Sequence, residues 1–99
     1  MNYFPAIAEK IQKDPSVLKM AKATLRKWRR LGEAPEARLD EWRRILEYAG
    51  KSPKGRKALI VMLKTRNKDN CRLLDFAPFA GILTREERRK VFLKCVYAH

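Results

Sequence analysis

Apolar and basic residues alternate with helical periodicity over residues 15–31. Drawn as a helix at 100° per residue, this segment places its apolar residues within roughly 160° of the circumference and its basic residues within roughly the opposite 160°. No acidic residue interrupts the segment. Asp14 and Pro15 form a start signal, and Gly32 fits the position that follows a helix. We therefore predict an amphipathic helix with one buried face and one face of unpaired positive charge.

The rest of the chain carries similar signals for shorter helices. They are predicted at about 3–13, 35–49 (ended by Gly50), 53–65, 68–75 and 85–97. Ser52 followed by Pro53, Asn67, and Thr84 with Glu87 are the predicted capping residues. Together these patterns predict an all-α protein, a single compact domain (1–99) of about five to six short helices without repeats or a linker.

The sequence also predicts which helix faces are buried. The fourth helix contains the longest apolar run of the chain, 58–63, and is expected to be buried on all sides. In the last helix, Val91, Phe92, Cys95 and Val96 are expected to face the core. The third helix has a mixed outer face, on which Asp40 is expected to pair with Arg44 and Arg43 with Glu47. That face is therefore interpreted as ordinary solvated surface.

The net charge directs the functional prediction. Twenty-four Lys and Arg residues face eleven acidic residues, a formal net charge of +13. A folded domain with this imbalance repels itself and typically has an anionic partner. Nucleic acid is the first candidate, bound through phosphate contacts more than through base readout. The predicted contact residues are Lys19, Lys22, Arg26, Arg29 and Arg30, supplemented by Lys51, Lys54, Arg56 and Lys57.

The alternative is a module that binds an acidic protein without nucleic acid. Residues 76–83, FAPFAGIL, interrupt the helical pattern but are strongly apolar. Such a turn either folds under the core or docks against a partner. In the second case Phe76, Pro78 and Phe79 are the expected partner-binding residues.

Other functions have little support in the sequence. The only histidine is His99, the last residue, and the chain has no phosphate-binding loop or zinc-protease motif. We expect no enzymatic activity, no cofactor, no metal and no small-molecule substrate. Cys71 and Cys95 are expected to be reduced, half-buried thiols. The apolar runs are too short to span a membrane and the first residues do not resemble a signal peptide, so a cytoplasmic protein without a membrane partner is expected.

Four stretches of the chain together resemble a known family. Residues 7–10 (IAEK), 14–29 (DPSVLKMAKATLRKWR), 42–46 (WRRIL) and 78–88 (PFAGILTREER) match the pattern of small, mostly uncharacterised bacterial all-helical proteins that end in PFAG-[IVL]-L-x-x-E-E-R. The resemblance covers nearly the whole chain. It departs at 73–77, LLDFA, where relatives are more polar. It implies an all-helical fold and an antitoxin-like partner of a toxin, or another regulator.

Overall fold

Helices make up the regular structure of the protein in this computed structural model, which describes residues 2–65, 67, 68, 70–96 and the backbone of Tyr97. These residues contain no strand, which confirms the all-α prediction; His99 lies outside them. The elements are α1 (Phe4–Lys13), a 3₁₀ turn (Pro15–Val17), α2 (Leu18–Leu31), α3 (Glu36–Lys51), α4 (Pro53–Lys64), α5 (Cys71–Asp75) and α6 (Arg85–Tyr97).

Most of the predicted capping residues act as caps. The Asp14 carboxylate accepts a hydrogen bond from the Ser16 amide at 3.2 Å and so opens the 3₁₀ turn before α2. Gly32 ends α2 in the left-handed conformation, with a φ of 65°. The Ser52 hydroxyl accepts from the Gly55 amide at 2.9 Å and begins α4. Local sequence therefore determines these helix ends, as expected for capping side chains that satisfy free backbone groups.

Residues 15–17 of the predicted second helix form the 3₁₀ turn, and the third and fifth helices also differ from their predicted bounds by more than one residue. Gly50 does not end α3: the helix runs to Lys51, and the extended Ser52 is its last cap. Asn67 exchanges side chain–backbone hydrogen bonds with Asn70, at 2.9 and 3.1 Å, but α5 begins only at Cys71. The end of α3 is formed by the Ser52 backbone N–H, which donates to the Tyr48 carbonyl oxygen, and Asn70 precedes α5 without a side-chain cap.

Most of the core lies among the first four helices, and Leu74, Phe79, Ile82 and Leu83 from the later part of the chain complete it. α4 packs against both α1 and α3, and α2 packs against α3. At the centre is Trp42 of α3, whose side chain is fully buried. Its indole N–H donates to the Leu73 carbonyl oxygen at 3.0 Å, and its ring meets that of Phe79 edge to face, with centroids 5.3 Å apart. Trp42 therefore joins α3 to the chain that follows α4.

The apolar turn 76–83 folds under the core. Pro78, Phe79, Ile82 and Leu83 are buried, whereas Phe76 is exposed. The prediction that Phe76, Pro78 and Phe79 form a partner-binding loop is therefore wrong for Pro78 and Phe79. The physical reason is the contact with Trp42, which buries the Phe79 ring.

The predicted burial of α4 and α6 is also corrected. Leu59 and Leu63 of α4 are buried, but Val61 is 55% exposed, so the helix is not buried on all sides. In α6, Val91 is half-buried, but Phe92, Cys95 and Val96 are exposed. Glu87 of α6 instead contacts α1. It is half-buried and accepts a hydrogen bond from the Lys10 ammonium group at 2.6 Å.

Lys10 and the capping box hold the start of α6 in place. The Lys10 ammonium group also donates to the Ile82 carbonyl oxygen at 2.6 Å. The Glu87 carboxylate accepts from the Thr84 amide at 2.8 Å, and the Glu87 amide donates to the Thr84 hydroxyl at 3.1 Å. The hydrogen bond from Lys10, followed by that from Thr84, lowers the pKa of Glu87 to about 2. A polar cluster therefore attaches α6 to α1.

A pair of glycine substitutions tests the packing of α3 against α4. A Cβ atom at Gly55 would lie 2.4 Å from the Tyr48 carbonyl oxygen, a backbone atom, whereas a Cβ at Gly50 would meet only the Lys22 ammonium group, at 3.3 Å. We expect Gly55→Ala to lower the free energy of unfolding by about 2 kcal/mol or more, because the two helices must separate. Gly50→Ala is expected to raise it by about 0.5–1 kcal/mol, because alanine is the better helix former.

Urea unfolding followed by circular dichroism measures both changes. Equal or greater stability of Gly55→Ala would contradict the close approach of α3 and α4.

The acid sensitivity of the protein tests the Lys10–Glu87 contact. Because the pKa of Glu87 is lowered from 4.5 to about 2 in the folded protein, its contribution to stability is present above about pH 4.5 and is lost as the pH falls toward 2. We expect Glu87→Gln to lower the thermal unfolding midpoint above pH 4.5, and this difference to shrink between pH 4.5 and 2. Glu86→Gln is the control, since the Glu86 carboxylate has no ion pair or hydrogen bond among the described residues. A difference that does not change with pH would show that the contact with Lys10 is not ionic.

Candidate anion-binding cleft between the second and third helices

α2 and α3 lie side by side in opposite directions. Near the turn that joins them, an Arg29 guanidinium nitrogen lies 2.9 Å from a carboxylate oxygen of Asp40. Toward the other end, the Lys22 ammonium group lies against Gly50. Residues about two turns apart on α2 therefore meet residues about three turns apart on α3, in reverse order along the chain.

A cleft of about 250 Å³ lies along this seam. Its floor is apolar and consists of Leu25 and Leu39, both of which belong to the buried core. Its rim carries four cationic side chains and one carboxylate: Lys22, Arg26 and Arg29 from α2, and Arg43 and Glu47 from α3. The amphipathic pattern of each helix explains this arrangement, because the basic residues border the apolar face that packs against the partner helix.

Two of the four cations have partners. The hydrogen bond from Arg29 is the main cause that lowers the pKa of the Asp40 carboxyl, and the same bond raises the pKa of Arg29. Arg43 lies 3.6 Å from Glu47, and both side chains are about half exposed, so this pair is weak. Lys22 and Arg26 have no ion-pair or hydrogen-bond partner in the part of the chain that the structure describes.

The contact between Arg29 and Asp40 corrects two predictions. The basic face of α2 is not wholly unpaired, because Arg29 is bound to Asp40. Arg44 does not pair with the Asp40 carboxylate; its Nε donates instead to the Asp40 backbone oxygen, at 3.4 Å. The predicted pair within α3 is thus replaced by a contact between two helices.

The nine predicted nucleic-acid-binding residues separate into groups. Lys22, Arg26 and Arg29 line the cleft. Lys51 is exposed at the end of α3, directly after Gly50, and does not line the cleft. The remaining residues lie outside the cleft: Lys19 and Arg30 are exposed on α2, Lys54 and Lys57 are exposed on α4, and Arg56 is half-buried with an Nε that has no hydrogen-bond partner.

Arg43 is the cleft residue that the sequence prediction missed. Its pairing with Glu47 made that face of α3 look like neutral surface. The short connection after Gly32 could have indicated that α2 and α3 pack side by side, since helices joined by so short a connection are usually antiparallel neighbours. The basic edge of α2 then has to lie beside α3.

The cleft has the chemistry of an anion site. Guanidinium and ammonium groups supply hydrogen-bond donors and positive charge, and arginine suits the oxygen geometry of phosphate. Across the described residues there is no group of three or more His, Cys, Asp or Glu side chains that could hold a metal ion. The same residues include no helix that is long and apolar enough to cross a membrane.

Comparisons with protein-family models, with curated proteins and with solved structures found no match. The resemblance to the antitoxin-like bacterial family therefore stays a prediction. Function has to be argued from the cleft and its charges.

Proposed function

We propose that the protein binds the phosphate backbone of nucleic acid in the cleft between α2 and α3, without catalysing a reaction. The observation that carries this proposal is the position of Arg26. Among the described residues Arg26 has no ion-pair or hydrogen-bond partner, and it lines the same cleft as Arg29 and Arg43, which lie on two different helices. An anion bound between them would relieve the repulsion among these cations.

The spacing of the cations suits a polyanion. Lys22, Arg26 and Arg29 follow one another at helical intervals of four and three residues, so they rise about 10 Å along α2. One strand of B-DNA carries about three phosphates over such a length. Lys51, which is exposed at the end of α3, is proposed as a further phosphate contact.

The lining of the cleft favours contact with the backbone over base readout. Asn and Gln side chains, which read adenine edges, do not line it, and its apolar floor is buried beneath the cations. Binding is therefore proposed to tolerate many sequences and to depend strongly on salt.

An antitoxin or another regulator is the cellular role that we attach to this binding. Its support is the resemblance of the chain to antitoxin-like proteins together with the net charge of +13. In this proposal the protein acts in the cytoplasm. Binding of an acidic protein at the same cleft is the competing explanation, since arginine also pairs with carboxylates.

Charge reversal at Arg26 tests the cleft. Arg26→Glu is expected to weaken binding of a labelled random-sequence duplex or single-stranded RNA by about tenfold or more at moderate salt, and to reduce the salt slope by about one phosphate contact. Fluorescence anisotropy across a salt series measures both quantities. Heparin serves as a generic polyanion for comparison.

Arg72→Glu is the matched control, because Arg72 is exposed on α5, away from the cleft, and the change in net charge is the same. Equal losses from the two reversals, or equal affinity for heparin and nucleic acid, would contradict specific binding in the cleft.

Removal of the Asp40 charge tests whether Arg29, once released from its ion pair, strengthens nucleic-acid binding. Asp40→Asn frees Arg29 and removes a carboxylate from the edge of the cleft, so binding is expected to become about three- to tenfold tighter at low salt. Glu86→Gln on α6 adds the same net charge and should change binding less. The same anisotropy titration compares the two variants, and weaker binding by Asp40→Asn would show that Arg29 must be held by Asp40 to contact the nucleic acid.

A further inference from the structure

A second cavity lies beside α6, away from the cleft residues. It has a volume of about 600 Å³. Its apolar lining includes Ile7, Leu74, Phe79 and Leu83, all of which belong to the core, and Arg88 of α6 lies at its edge. Asn2 and Asp75 also line it, so the cavity is an open hollow with an apolar floor whose lining includes one carboxylate and one cation.

The exposed face of α6 continues this hollow. Phe92 follows Arg88 by four residues and Val96 follows Phe92 by four, so the three side chains lie on one face of the helix. Phe92 is 49% exposed and Val96 is 47% exposed, and Leu93 beside them is also exposed. A cluster of exposed apolar side chains next to an apolar cavity is typical of a binding surface.

The charges of this face are positive. Arg85, Arg88 and Arg89 are exposed and have no ion pair or hydrogen bond among the described residues. Glu87 lies on the other side of α6, where Lys10 neutralises it. A second copy of the chain would bring the same arginines and another +13 of net charge to the contact, which like-charge repulsion disfavours.

We propose that the cavity and the exposed face of α6, together the α6 groove, bind an acidic amphipathic helix of a partner protein. Apolar side chains of that helix fill the cavity and cover Phe92 and Val96, while its carboxylates pair with Arg85, Arg88 and Arg89. Laying an apolar helix face into a groove is a recurrent mode of recognition, and the surrounding arginines select the charge of the partner. This surface does not use the cleft between α2 and α3, so it does not depend on nucleic-acid binding.

Synthetic helical peptides test the proposal. The probe is a fluorescein-labelled peptide of Glu, Ala and Leu whose leucines lie on one face. The comparison peptide has the same charge but carries serine in place of leucine. We expect the full chain to bind the leucine peptide at least about tenfold more tightly than the serine peptide, as measured by anisotropy.

Matched variants locate the site. Phe92→Ala and Val96→Ala together are expected to remove this preference, whereas Val61→Ala, at a comparably exposed valine of α4, is expected to keep it. Ala80→Trp adds bulk at an exposed residue that lines the cavity and is expected to weaken the leucine peptide about tenfold. Arg88→Glu should weaken both acidic peptides more than Arg26→Glu does, although the two reversals change the net charge equally. Circular dichroism and thermal unfolding of each variant establish that the fold is kept.

Three results would overturn the proposal. Equal affinity for the two peptides, or equal losses from Arg88→Glu and Arg26→Glu, would mean that only charge attracts them. A wild-type dimer in sedimentation that Phe92→Ala dissociates would assign the α6 groove to a second copy. The α6 groove would instead be assigned to nucleic acid by two results together. Arg88→Glu would have to lower nucleic-acid affinity as much as Arg26→Glu does, and nucleic acid would have to displace the peptide.

Discussion

The rotation of α3 about its own axis depends on Trp42. Its buried indole is fixed by a hydrogen bond to the Leu73 carbonyl oxygen and by the edge-to-face contact with Phe79. Because residues of a helix are set 100° apart, fixing Trp42 also fixes where its neighbours project. Asp40 and Arg43 are thereby presented toward α2, where Asp40 meets Arg29 and Arg43 lines the cleft. The residue that holds the core together thus also determines the geometry of the charged surface, although it is far too buried to contact a ligand itself.

α6 is attached to the rest of the fold by polar contacts, whereas the other long helices are attached mainly by apolar contacts. Lys10 reaches from α1 to the Ile82 carbonyl oxygen and to the Glu87 carboxylate, which is also part of the capping box. Such contacts hold only the first turn of the helix. The apolar side chains further along α6 are not needed for this attachment, and Phe92 and Val96 remain exposed. A helix that is fixed at one end and apolar on its outer face is suited to contact another molecule.

The sequence predicts where the helices lie along the chain better than it predicts which side of each helix is buried. Helical periodicity and capping side chains such as Asp14, Ser52 and Thr84 are local, so they identify the helices and most of their ends. Which side of a helix is buried depends on where its neighbours lie, and this explains why the exposed side of α4 and the outer face of α6 were not predicted. The cleft shows the same limit. Arg29 was expected to be unpaired and Asp40 to pair with Arg44, because the contact between Arg29 and Asp40 exists only after α2 and α3 pack. The family resemblance adds the all-helical fold, but function has no support from a known relative.

The distribution of acidic residues explains why positive charge remains concentrated at particular places. The ion pairs of the described residues use Asp40, Glu41, Glu47 and Glu87, and each of these carboxylates neutralises a cation near a helix contact or within a helix. Exposed ion pairs of this kind contribute little to stability. Their larger effect is on the surface field, because Arg26 in the cleft and Arg88 in the α6 groove have no ion pair among the described residues. Repulsion among such cations is a cost of folding that an anionic partner removes, and a ligand that binds only the folded state stabilises it. Arg26 and Arg43 belong to different helices, so an anion bound between them would also hold α2 against α3, and binding at the cleft and the stability of the fold would then be coupled.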